Sequence, residues 1–270
     1  MQWVSLSCVP SPSIFARASS KARRVVKRAS LEARRRRCSG DLFIDYGWIR
    51  LLYSGDRDHQ EISYHLHQER WHEKDMHVFR NLVAPGDTAI DVGANLGFVT
   101  TMLASAVGNC GRVLSFEPSP HVFAKLEKTI AANGLHQVVS FNFGCGAASS
   151  VEQLHQVTAS SGNASISKTG SDPIEIRVKR LDDIAEVRST PVALLKVDTE
   201  GYEPRVLEGA AGIIEEDRPI IYLEMGGEYV ESTVESIEIL AAAGYDVNHV
   251  RSIDWPNIGN GSDFFFIPAR

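Results

Sequence analysis

Between residues 88 and 224 the chain alternates short, nearly continuous apolar runs with longer segments whose apolar positions recur every three or four residues. The apolar runs are "TAIDV" (88–92), "RVLSFE" (112–117), "VVSFNF" (138–143), "VALLKVD" (192–198) and "PIIYLE" (219–224). Residues 96–107, 119–133 and 204–215 between them have helical spacing. Strands alternating with helices predict βαβ units and a mainly parallel sheet, whose strands are covered on both faces and so are apolar throughout. Residues 146–180 break this rhythm with short alternating stretches such as "IEIRVKRL", which predict hairpin strands outside the main repeat. A helix near 231–242 and strands at "YDVNHV" (245–250) and "DFFFIP" (263–268) follow. No helix separates those last two strands, so they can lie antiparallel at one edge. Ahead of the repeat, "DLFIDYGWIRLLYS" (41–54) suits one or two short strands. "EISYHLHQERWHEKDMHVFRNLV" (61–83) suits a helix with Trp71, Met76, Phe79, Leu82 and Val83 on one face, ending at the turn "APGD".

Charge divides the chain more sharply than hydropathy does. Residues 1–40 hold ten Lys or Arg against one acid, Glu32, whereas the remaining 230 residues hold 18 basic and 33 acidic residues. A mildly acidic body is a poor nucleic-acid surface. The arm over 1–40 reads as a basic, poorly ordered extension, and its Arg- and Ser-rich, acid-poor composition also suits organellar import or contact with anionic lipid or RNA. No apolar run reaches the roughly 18 residues of a membrane span. Cys8, Cys38, Cys110 and Cys145 are scattered, which fits reduced thiols in a cytoplasmic setting and neither a disulfide framework nor a zinc site. Five of the nine histidines (His59, His65, His67, His72, His77) cluster, but "HEKDMH" spaces two of them five apart, off a common helical face, so no metal site is expected.

The candidate chemistry lies at the carboxyl ends of the predicted strands, where open α/β sheets bind ligands. Asp91, Gly93, Asn95, Glu117, Asp198 and Glu200 all fall there. In "DVGANLGFVT" (91–100), Gly93 allows either a tight turn or the close approach of a ligand, and the next helix presents free N–H groups. A dinucleotide is disfavoured, because Asn95 and Phe98 stand where G-x-G-x-x-G needs its second and third glycines. Glu117, 24 residues after Gly93, suits a ribose diol. A ribose partner without a pyrophosphate site points to a nucleoside cofactor with no phosphates, of which S-adenosylmethionine is the common one.

"DVGANLGFVT", "LSFEPSP" and "LKVDTEGYEPRVLEGA", in this order and spacing, resemble the FkbM family of S-adenosylmethionine-dependent methyltransferases. The resemblance runs from about Val83 to Arg270, with 41–82 as a loosely matching N-terminal cap. It implies an α/β class I methyltransferase fold, a Rossmann-like three-layer sandwich with a seven-stranded, mostly parallel sheet and an antiparallel last strand. It also implies methyl transfer, usually to a hydroxyl, here on a small molecule or a sugar or glycan. By matching position, Asp91, Gly93, Asn95 and Gly97 would line the methionine and ribose part of the cofactor, and Glu117 would hold the ribose. Residues 142–145, Asn142 among them, would lie near adenine. Asp198 and Glu200 would face the methionine end and the acceptor.

A hydroxyl acceptor needs a proton acceptor. Asp198, Glu200 and, more weakly, Glu224 or a histidine are the candidates, and the sequence does not separate them. Blander roles exist for each residue. Asp91 would cap a helix, Glu117 would end a strand in solvent, and Asp198 and Glu200 would favour the dipole of the helix that Pro204 opens. Cys145 reads as a small buried residue, while Tyr202 and Tyr229 suit either the mouth of a site or the rim of the core. Two other functions remain open at this stage: a binding module that kept the fold without turnover, and a nicotinamide oxidoreductase, which the missing glycines oppose.

Overall fold

The computed structural model describes residues 2–5, 41–45, 50–54, 78–156, 164–166, 171–226, 229–251, 253 and 262–269. Its centre is a six-stranded sheet. The strands are β4 (Thr88–Val92), β5 (Arg112–Phe116), β6 (Val138–Phe141), β11 (Val192–Val197), β12 (Ile220–Met225) and β13 (Ser262–Phe266). Their order is β13-β12-β11-β4-β5-β6, and every pairing is parallel except β12 with β13. The strand order reverses between β4 and β11, which places the ligand-binding crevice at their carboxyl ends.

Successive residues along these strands enter two different cores. Ile90, Val92, Leu114, Phe116, Leu195 and Val197 pack on one face with Val206, Leu207, Ile213 and Leu240. Those partners come from α3 (Glu203–Gly209), α4 (Ala211–Glu216) and α5 (Val230–Ala242). Ala89, Val113 and Leu194 pack on the other face with Phe79, Met102, Leu103 and Val107, the last three from α1 (Phe98–Val107). Burial on both faces explains why the sequence runs are continuous. Helix α2 (Pro120–Asn133) starts with proline in its first turn and carries a small N-terminal sheet. Asn133 exchanges hydrogen bonds with the Arg50 backbone at 2.9 and 2.7 Å.

The small sheet has the order β1 (Gln2–Ser5), β2 (Asp41–Asp45) and β3 (Arg50–Ser54). Gln2–Ser5, expected in a poorly ordered arm, instead pairs parallel to Asp41–Asp45. The rest of the arm, the five clustered histidines and most of the helix expected over 61–83 lie outside the described residues, which include only the helical turn at 78–82. As expected, the segment after β6 forms strands of its own. These are β7 (Gly144–Cys145), β8 (Ser150–Gln156), β9 (Ala164–Ser165) and β10 (Ser171–Lys179), in a separate sheet of order β7-β10-β8-β9.

Two expectations need correcting. Among the described residues the main sheet has six strands rather than seven, because "YDVNHV" makes only an isolated bridge, Tyr245 to Pro268, before turning into α6 (Asn248–Arg251). Polar residues at Asp246, Asn248 and His249 leave too little apolar surface there for a strand covered on both faces. The antiparallel partner of "DFFFIP" is therefore β12, with Leu223 opposite Phe264. The helix expected over 204–215 is in turn two short helices broken at Ala210.

Candidate active site

The carboxyl ends of β4, β5, β11 and β12 surround a cavity of 230 Å³. Of the residues expected at the site, Gly93, Asn95, Glu117, Asp198 and Glu200 line it, with Glu224. Asp91, Gly97 and Asn142 do not. Phe116, Leu154, Ile166 and Tyr202 supply apolar wall, with Gly144 and Cys145 from β7. Leu154 and Ile166 come from the separate sheet and its β9 end, so the segment that broke the sequence rhythm builds one side of the cavity.

Glu117 follows β5 directly and is only 7% exposed. Each carboxylate oxygen accepts one backbone N–H, from Asn95 at 3.0 Å and Ser119 at 2.9 Å. Each therefore keeps a lone pair for a ligand. Burial raises its pKa to about 7, against the lowering effect of those two bonds and of Lys196. Asn95, at φ 50, carries a buried side-chain oxygen with no hydrogen-bond partner. An unmatched acceptor on a cavity wall costs free energy until a donor meets it.

Asp91 is fully buried beneath this floor. It accepts a hydrogen bond from the Thr100 hydroxyl at 2.6 Å and pairs with Lys196 at 3.0 Å, its direct neighbour in the β4–β11 register. Gly97 faces α2, where an added Cβ would meet Leu126 Cδ1 at 2.8 Å. The Asn142 amide turns back to the carbonyls of Glu117 and Pro118 at 2.9 and 3.1 Å and so holds the loop that carries Glu117.

Across the cavity, Asp198, Glu200 and Glu224 place carboxylate oxygens within 4.8 Å of one another. Burial opposes the Asp198 charge, but the Lys196 ammonium at 3.4 Å and a hydrogen bond with Glu224 outweigh it and hold Asp198 below the usual carboxylate range. Glu224 is pushed up, first by the Asp198 charge and then by burial. Two carboxyl groups in contact share one proton, and here Glu224 keeps it. Glu200 sits at φ 55, a left-handed conformation unusual for glutamate, in a loop organised by Glu203. The buried Glu203 carboxylate accepts bonds from the Thr199 and Gly201 N–H groups at 2.8 and 3.1 Å and from Ser232 at 2.8 Å.

Sequence reasoning left Lys196, Thr100 and Glu203 without a role. The signal for Lys196 was present, since a lysine inside the apolar run "VALLKVD" must find a buried counter-charge. Burial pushes the Cys145 thiol up, in keeping with a structural residue. Tyr202 lines the cavity, whereas the Tyr229 ring packs on Gly201.

Residues 91–247, which contain every group just described, match the model of the methyltransferase FkbM domain. The chain belongs to that family. Members of the FkbM methyltransferase family use S-adenosylmethionine. No curated protein matches the chain. Solved structures of similar fold include methyltransferase FkbM from Methylobacillus flagellatus KT, 18% identical over 62% of this chain and 43% of that one, with a TM-score of 0.46. Fibrillarin from Aeropyrum pernix, in complex with natively bound S-adenosyl-L-methionine, is 13% identical over 72% and 74% of the two chains, with a TM-score of 0.45. A SAM-dependent O-methyltransferase from Thermotoga maritima is 15% identical over 73% and 65%, with a TM-score of 0.44. The chain thus spans less than half the length of the first of these. Among the described residues no helix is long and apolar enough to cross a membrane.

The cavity suits the family's cofactor chemically. A carboxylate with free lone pairs matches a ribose diol, the unpartnered Asn95 oxygen matches a ligand donor, and an anionic floor beside apolar walls matches a sulfonium and an adenine.

Proposed function

We propose that this FkbM-family chain transfers a methyl group from S-adenosylmethionine to a hydroxyl on a small molecule or sugar. The observation that carries the reading is the pairing, in one cavity, of a backbone-held Glu117 with the acidic group Asp198, Glu200 and Glu224 across from it. Bound S-adenosylmethionine supplies an already activated methyl group on a sulfonium. The chain's own work is then positioning and removal of a proton. Glu117 holds the ribose and Asn95 Oδ1 accepts from the ligand. Glu200 takes the acceptor's hydroxyl proton, leaving the oxygen free to accept the methyl group. Glu200 is preferred over its neighbours because Asp198 is engaged by Lys196 and Glu224 already keeps a proton. Alignment in such a site is worth up to about 7–11 kcal/mol.

The test is release of S-adenosylhomocysteine in the presence of a panel of hydroxyl-bearing sugars and small molecules. Release coupled to an acceptor heavier by one methylene mass supports transfer. Binding without turnover on any acceptor would instead favour a module that kept only the fold.

Two further results are expected from the same reading. Glu117→Ala should weaken S-adenosylhomocysteine binding by about an order of magnitude or more, the loss of a charge-assisted pair of bonds. Because the free Glu117 holds a proton up to about pH 7, and ribose binding uses the ionised form, wild-type affinity should rise from pH 6 to pH 8 and then level off. Calorimetry across that range checks both, and a flat profile would count against the ribose role. Transfer should also survive a chelator, since Lys196 already faces Asp198 and Glu224 keeps its proton, which weakens the acidic group as a cation site. Activity lost in EDTA and restored by a divalent cation would assign that group to a metal instead.

A further inference from the structure

We propose that Lys196 is a positioning residue of the cofactor site, one buried ammonium that fixes both the Gly93 carbonyl and the Asp198 carboxylate. The proposal rests on the methyltransferase reading above. Lys196 is 2% exposed and reaches four oxygens: Gly93 O at 2.8 Å, Asp91 Oδ1 at 3.0 Å, Val92 O at 3.2 Å and Asp198 Oδ2 at 3.4 Å. The sheet alone does not require this. A buried cross-strand ion pair can often be replaced by apolar residues at no loss of stability. An apolar pair would supply neither a donor to Gly93 nor a counter-charge to Asp198, and both of those residues line the cavity.

The Gly93–Ala94 peptide shows the effect most clearly. Its N–H side donates to Phe116 O at 3.0 Å, and its carbonyl accepts from Lys196, so the plane is held at both edges. A glycine at φ 76 has no side chain to limit its peptide, which makes such a clamp necessary. The same ammonium holds Asp198, the first residue beyond β11, which sets where the loop to Glu200 begins. Lys196 touches no ligand itself; it acts through the two groups it holds.

The experiment compares Asp91→Asn with the double variant Asp91→Asn/Lys196→Met by thermal unfolding and by calorimetry with S-adenosylhomocysteine. Both carry the same change at 91, so their difference reports position 196. The double variant leaves no buried charge unpaired between the two strands, so a merely structural lysine would be dispensable in it. The expected result is a folded double variant that binds S-adenosylhomocysteine at least tenfold more weakly than Asp91→Asn. Affinities within threefold of each other would overturn the proposal. If the double variant does not fold, the Lys196 ¹⁵Nζ resonance of labelled wild-type protein decides. A shift that tracks occupancy is expected, and a resonance unmoved at saturation overturns the proposal. No binding of S-adenosylhomocysteine to folded wild type would instead overturn the cofactor reading, and this inference with it.

Discussion

Gly93→Ala is expected to destabilise the protein by about 4 kcal/mol, at the upper end of what single substitutions do. Two costs add. Gly93 lies at φ 76, which alanine adopts reluctantly. An added Cβ would also fall 1.8 Å from the Asp198 carbonyl oxygen, a backbone atom that no side-chain rotation can move aside. Relief requires β4 and β11 to separate at their carboxyl ends, where the Asp198 N–H donates to Val92 O and where Lys196 sits. Gly97→Ala is the natural comparison. At φ 92 it pays the same backbone cost, but its added Cβ meets the end of the Leu126 side chain, which can turn away, so its total cost should stay nearer about 2 kcal/mol. Urea unfolding of the two variants checks the ranking. A Gly93→Ala protein within about 1 kcal/mol of wild type would mean that the strand ends are looser than described.

Glu200→Gln is expected to lower methyl transfer roughly 10²–10⁴-fold, the usual contribution of a general base. S-adenosylhomocysteine affinity should stay within threefold, because glutamine keeps the size and the loop is set by Glu203. The assignment follows from what surrounds the other two carboxylates. Asp198 is held ionised by a fixed ammonium and is a weakened base, while Glu224 is already protonated beside it. Initial rates with an acceptor from the hydroxyl panel, beside calorimetry, separate the two effects. Full activity would remove Glu200 from the role and return it to Asp198 or Glu224.

The parallel sheet was legible because burial on both faces writes each strand as one apolar run, and the ends of those runs carry the carboxylates. "YDVNHV" misled because a single bridge at Tyr245 needs the same local residues as the start of a strand. The glycines of "DVGANLGFVT" posed a choice between a turn and a close approach. Both answers hold at Gly93, but the approaching backbone is the chain's own, at Asp198. That contact joins residues 105 apart and leaves no local mark in the sequence. Asp91 was harder still. At the end of a strand it looks like a ligand contact, and only the cross-strand register, which sets it opposite Lys196, places it under the site rather than in it. Glu203 escaped notice because its work is done on backbone N–H groups, which any sequence supplies.

The most direct test of the account is calorimetric titration of the folded wild-type protein with S-adenosylhomocysteine at pH 8, where Glu117 is ionised. Saturable binding with one site per chain is the expected result. Absence of binding to protein that unfolds cooperatively would contradict the account, and the cavity at the ends of β4, β5, β11 and β12 would then need a different ligand.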